Sequence, residues 1–157
     1  MEDINYKAFV TRESDAGFTN SIEDLSTSNL QKNDLLIRVS YSSLNYKDAL
    51  SASGNKGVTR EYPHTPGIDA VGEVVESNSS QFEVGESIVV TGYDLGMNTY
   101  GGFGQYISIP ANWAISLPKE LSETEAMSIG TAGLTAGLCV RKLLMNDLSP
   151  DLGDVLV

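Results

Sequence analysis

Ahead of Pro118, turn-forming clusters interrupt the chain too often for a long helix to fit between them. Asp15-Ala16-Gly17, Asn33-Asp34, Gly54-Asn55-Lys56-Gly57 and the Pro63/Pro66 pair leave short segments. Turn signals recur roughly every 8–12 residues, the spacing of an all-β barrel or sandwich. Residues 6–12 and 18–25, on either side of Asp15-Ala16-Gly17, read as a first antiparallel pair. Leu35, Ile37, Val39 and Tyr41 alternate with more polar neighbours from Ile37 onward, the period of a half-buried strand. That period is lost between Ser43 and Ser53, where a short helix or turn near 46–52 is expected, followed by a loop. Gly67 to Ser77, Ser87 to Thr91 and Phe103 to Ile109 read as three further strands.

The character changes at Pro118. Ser122 and Glu125 match a capping box, in which the serine caps the helix and the glutamate reaches back to it. The residues that follow, from Ala126 to Leu144, are rich in helix formers. Gly130, Gly133 and Gly137 weaken one uniform helix, so a break is expected near Gly130-Thr131. Ser149-Pro150 ends the helical region, and Val155-Leu156-Val157 has the look of the opening of a buried parallel strand. A strand needs a sheet, so a continuation beyond it is expected. No internal repeat or low-complexity segment occurs.

The formal net charge is −11, a field that repels DNA and RNA. No Lys or Arg occurs between Arg60 and Lys119, whereas Lys47, Lys56 and Arg60 fall close together. Those three are either ordinary solvated charge or a local anion-binding patch. No apolar run approaches the ~20 residues of a membrane-spanning helix. The polar, acidic start Met1–Lys7 lacks the regions of a signal peptide. The single cysteine, Cys139, excludes an intramolecular disulfide and suits a reducing compartment, so the expected location is cytoplasmic.

Zinc is held by three or four Cys, His, Asp or Glu ligands. One cysteine and one histidine, Cys139 and His64, lie far apart here, so no metal site is expected. The same scarcity argues against a Ser/His/Asp or Cys/His nucleophile. His64, between Pro63 and Pro66, reads as a loop residue, and Cys139, in an apolar helical stretch, as core. Two segments stand out. Asn45-Tyr46-Lys47-Asp48 gathers an amide, a phenol, an amine and a carboxylate, as a site or as helix caps. Gly130-Thr131-Ala132-Gly133 is small enough to approach a flat ligand or another helix closely.

These segments carry a family resemblance. Ser43-Leu44-Asn45-Tyr46-Lys47-Asp48-Ala49-Leu50, Tyr62-Pro63, Pro66-Gly67-Ile68-Asp69, Gly72-Glu73-Val74, Gly101-Gly102-Phe103 and Gly130 to Ala136 resemble the zinc-independent medium-chain dehydrogenase/reductases. Within them the chain is similar to the YhdH/YhfP-type quinone oxidoreductase and acryloyl-CoA reductase subgroup. Zinc alcohol dehydrogenases of the same fold place a cysteine ligand near Asn45 and Gly-His-Glu where this chain has Gly67-Ile68-Asp69.

The resemblance implies a mostly β fold: a GroES-like, partly open β-barrel over residues 1–121. Residues 122–157 would form a linking helix and the first strand of a truncated Rossmann α/β domain. The family's glycine-rich dinucleotide motif follows that strand and does not occur in this chain. The resemblance further implies NADPH as cofactor and hydride transfer to an activated double bond, such as an enoyl-CoA thioester, or to a quinone. Thr131 would meet the nicotinamide carboxamide, Asp48 the cofactor's ribose or the loop itself, and Asn45 both cofactor and substrate. Asn45 and Tyr46 would be catalytic, with Tyr46 as proton donor, and Lys47, Lys56 and Arg60 would bind coenzyme A phosphates. A homodimer is compatible with it; nucleic acid and membrane partners are not expected. The alternative is a stand-alone GroES-like binding or assembly module without catalysis.

Overall fold

A computed structural model describes residues 3–154 of the chain. Tyr6, Ala8 and Val10 all point inward from β1 (Asn5–Ser14), which pairs along its whole length with antiparallel β2 (Gly17–Ser26). Five further strands form one antiparallel sheet in the order β6-β3-β4-β5-β7. They are β3 (Leu35–Tyr41), β4 (Asp69–Ser77), β5 (Ser87–Thr91), β6 (Tyr106–Ile109) and β7 (Ala114–Ser116).

The hairpin closes over this sheet without completing it. Phe9 N–H donates to Phe103 O at 2.9 Å, Gln105 N–H to Lys7 O at 3.0 Å, and Thr11 and His64 exchange backbone bonds at 2.8 and 2.9 Å. The result is a pair of open sheets, with one core inside the five-stranded sheet and a second beneath the hairpin. Leu35, Ile37, Val74, Ile88, Val90, Leu95, Ile107 and Ile109 fill the centre, and Tyr6, Ala8, Val10, Leu30 and Leu36 fill the space under the hairpin. Burying side chains of this size stabilises by roughly 1.5–3 kcal/mol each, which makes these two clusters the main source of stability.

Two local readings of the sequence change, and one short strand is additional. Tyr41 is exposed, because irregularities between Leu36 and Ile37 and between Val39 and Tyr41 shift the β3–β4 register and interrupt the alternation. The strand expected from Phe103 begins only at Tyr106, because Phe103 and Gln105 spend their backbone groups on the hairpin and on Val39. β7, three residues long, carries no periodic signal.

α1 (Tyr46–Ala52) occupies the expected short-helix segment. α2 (Glu123–Leu144) starts at the Ser122/Glu125 capping box, with Ser122 N–H donating to Glu125 Oε2 at 2.8 Å. Its first turns lay Ala126 and Met127 on Val71 and Val89 of the sheet. At Gly130 the helix breaks, with φ 49° and ψ −162°. Beyond the break the apolar side chains Leu134, Leu138, Val140 and Leu144 are about half exposed or more, and Cys139 is exposed. Its assignment to the core fails because, among the described residues, no layer packs over this half of α2. The strand expected at Val155–Val157 lies outside the described residues.

Candidate functional site

Asp69 opens β4 with a fully buried side chain. A carboxylate in such a place is costly unless donors fill its lone pairs. Asn45 Nδ2 and the Thr131 backbone N–H both donate to its Oδ2 at 2.9 Å, and the Thr131 hydroxyl donates to its Oδ1 at 2.5 Å. Among the described residues no cation pairs with it. Three separate parts of the chain therefore meet here: the loop after β3, the head of β4 and the break in α2.

The sequence builds each side of this meeting point. Ser42 Oγ donates to the Asp69 backbone oxygen at 2.6 Å, and Ser43 Oγ to Met127 O at 2.6 Å, so the loop is stitched to both strand and helix. Gly130 is required on two counts. Its backbone lies in a region that side chains disfavour, and a Cβ there would meet Ser43 Oγ at 2.6 Å and Asp69 Oδ2 at 2.8 Å.

Asp48, the third residue of α1, is buried too. Its Oδ2 accepts from Asn45 N–H at 2.8 Å, and its Oδ1 accepts from Ile68 N–H at 2.9 Å and Gly67 N–H at 3.2 Å. It thus fixes the loop that carries Asn45 and the approach to Asp69. Burial raises the Asp48 carboxyl above its ordinary value, with the three backbone donors pulling the other way.

The structure brings together Asn45, Thr131 and, one step away, Asp48. Tyr46 sits beside Asn45 with its ring largely exposed. Lys47 and Arg60 are exposed. Lys56 does not join the cluster: its Nζ contacts Glu13 Oε2 at 2.6 Å and lies 4.7 Å from the centre of the Tyr62 ring. His64 is a buried connector in the chain segment before β4, packed between Tyr62 and Tyr100.

Asp69 and Ser43 were not singled out as site residues from sequence. The available signal was a lone carboxylate at the head of the apolar run Ala70-Val71. A groove of about 440 Å³ lies elsewhere, along the connection from β2 to the start of β3 and beside the end of β4. Two of its polar walls are taken up by the fold: Asn33 Nδ2 donates to Ser108 O at 2.9 Å, and Asp34 Oδ2 accepts from Ala111 N–H at 2.9 Å.

Among the described residues no three His, Cys, Asp or Glu side chains converge as metal ligands. The Asp69 cluster presents neutral groups outward, Thr131 and Asn45. That chemistry fits an uncharged amide such as the carboxamide of a nicotinamide, and the cluster holds no cation for a phosphate.

Residues 31–119 match the family model of the alcohol dehydrogenase GroES-like domain. The chain is 46% identical over 136 residues to YhfP of Bacillus subtilis (87% of this chain, 41% of that protein). It is 38% identical over 149 residues to the acrylyl-CoA reductase AcuI of Ruegeria pomeroyi (94% and 45%). Among solved structures, the YhdH oxidoreductase of Salmonella enterica in complex with NADP superposes with a TM-score of 0.88 at 37% identity, covering 92% of this chain and 45% of that one. The chain thus spans less than half the length of the curated relatives it matches.

Proposed function

This chain belongs to the medium-chain dehydrogenase/reductases, and on that premise we propose that it is the substrate-side part of a nicotinamide-dependent, zinc-independent reductase. The observation that carries the reading is the Asp69 cluster, which holds Thr131 and Asn45 together at the end of the sheet. The relatives support it: one is named an acrylyl-CoA reductase, and another is a structure in complex with NADP.

In this reading residues 1–121 form the substrate domain. Residues 122–157 link it to a nucleotide-binding part, which would also cover the apolar second half of α2. Reduced nicotinamide supplies a hydride when bound. Thr131 orients the carboxamide, and the acceptor is an α,β-unsaturated thioester or a quinone. As hydride reaches the β-carbon of a thioester, negative charge grows on the carbonyl oxygen, where the remaining Asn45 N–H donates. Tyr46 then gives its phenolic proton to the α-carbon and recovers one from solvent. Lys47 and Arg60, both exposed, attract the phosphates of a coenzyme A carrier. The site works without a metal, because Asn45 and Ile68 stand where ligands of the zinc enzymes would stand.

The test is cofactor oxidation by the full-length protein with acryloyl-CoA and a small quinone, each with NADPH and NADH. Acceptor-dependent oxidation by chelator-washed protein supports the proposal. Turnover that needs added zinc, or none with any acceptor, defeats it.

A further inference from the structure

A carboxylate accepts hydrogen bonds and cannot donate them, so the direction of every bond in the Asp69 cluster is set. The Thr131 hydroxyl proton is committed to Oδ1 at 2.5 Å, and its backbone N–H to Oδ2 at 2.9 Å. One amide hydrogen of Asn45 is committed to Oδ2 at 2.9 Å. Thr131 and Asn45 nevertheless remain partly exposed. What they can still offer a ligand is therefore defined. Thr131 Oγ1 keeps lone pairs and no proton, whereas Asn45 keeps its carbonyl oxygen and a second N–H.

We infer that Asp69 is a positioning residue that makes the Thr131 hydroxyl an acceptor only, so that this point of the site selects a ligand presenting an amide N–H. The inference rests on the cofactor placement proposed above. It goes beyond it by fixing which end of the carboxamide faces Thr131: the NH₂ group does, and the carbonyl faces away. A free threonine hydroxyl turns to suit either partner, and a site with such a residue would bind a ketone in place of the amide nearly as well. With its proton held by Asp69, Thr131 Oγ1 meets the ketone's oxygen or methyl group with no bond to offer. Because the Asp69 side chain is fully buried, it acts through Thr131 and Asn45 and not on the ligand directly.

The test measures binding, not turnover. Dissociation constants of NADP⁺ and of its 3-acetylpyridine analogue, in which a methyl group replaces the amide nitrogen, are determined calorimetrically on the full-length protein. Wild type and Thr131→Ser should favour NADP⁺ by roughly threefold to tenfold, the value of one hydrogen bond. Thr131→Val should bind both ligands alike. Asp69→Asn, whose amide releases the Thr131 proton to point outward, should bring the two constants towards parity. A merely structural Asp69 would lower stability and leave the ratio intact, and that result overturns the inference. So does a wild type that binds both ligands equally while Thr131→Val weakens both, although the cofactor placement then survives. If Thr131→Val alters neither constant, the placement fails and the inference with it. Should Asp69→Asn not fold, the wild-type, Thr131→Ser and Thr131→Val ratios decide the matter.

Discussion

Thr131 donates to Asp69 twice, through its backbone N–H and its hydroxyl, across 62 positions of sequence. The backbone N–H is free to do so only because α2 breaks one residue earlier. In an unbroken helix it would be spent on a carbonyl of the preceding turn. The break therefore supplies a donor to the buried carboxylate, and the carboxylate in turn stabilises the break.

Gly130→Ala should lower stability by about 1–3 kcal/mol, the cost of holding a side chain in a glycine-only conformation. The added methyl also meets Ser43 Oγ and Asp69 Oδ2 inside contact distance. Gly137 in the same helix has open space around its Cβ position, so Gly137→Ala should stabilise by roughly 0.5–1 kcal/mol. Denaturant unfolding of the two variants checks the pair, and similar effects of both would show that the break is not specified at Gly130.

Asp48→Asn should cost about 1–3 kcal/mol, because an amide NH₂ must then face a backbone N–H that the carboxylate accepted. The pH dependence has a definite sign. Burial raises the folded-state pKa above the ordinary 3.8, so between 3.8 and the raised value the folded state holds more protons than the unfolded. The contribution of Asp48 to stability is thus fully present below 3.8 and declines as pH rises through the folded value. Subtracting the Asp48→Asn profile from that of wild type isolates this slope. A difference that rises with pH across the window would contradict it.

Much of the fold is legible in the sequence because its punctuation is strong. The β-branched run at Ser87–Thr91 and the short helix at Tyr46–Ala52 fall where the residues indicate, and the cluster of helix glycines marks the break at Gly130. Tyr41 and Cys139 were misplaced because periodicity reports a face and not what covers it. A register irregularity at one and a bare helix surface at the other decide exposure. The site was half legible. Asn45, Asp48 and Thr131 stand out by type, but Asp69 falls within the strand read from Gly67 to Ser77, where a single carboxylate gives no sign of its partners. Only the folded chain shows that donors 24 and 62 residues away converge on it.

His64 supplies a pH response of the opposite sign. Burial lowers its pKa from the ordinary 6.5. Below 6.5, down to the lowered value, the unfolded chain therefore holds the extra proton. Stability should fall as pH drops through this window and level off beneath it. The melting temperature followed from pH 7.5 downward should show this loss, and His64→Gln, which does not titrate there, should flatten it. An unchanged profile in the variant would assign the acid sensitivity to other groups.

Under the proposed function, the basic stretch should separate two kinds of acceptor. Lys56, also exposed, is engaged with Glu13 at 2.6 Å, which leaves Lys47 and Arg60 as the cations of that stretch without an ion pair among the described residues. A coenzyme A thioester brings phosphates into a field set by a net charge of −11, and these two side chains are the local supply of opposite charge. A small neutral quinone has no use for them. Arg60→Ala together with Lys47→Ala should lower kcat/KM for acryloyl-CoA and leave the quinone value unchanged. Exposed charges act weakly, so the loss should be no more than about fivefold for each residue and should fade as salt is added. The measurement is kcat/KM for both acceptors at low and high ionic strength in the full-length protein. Equal losses for the two acceptors would place the cations in general surface electrostatics. A loss that persists at high salt would point to a direct, desolvated contact with the substrate instead.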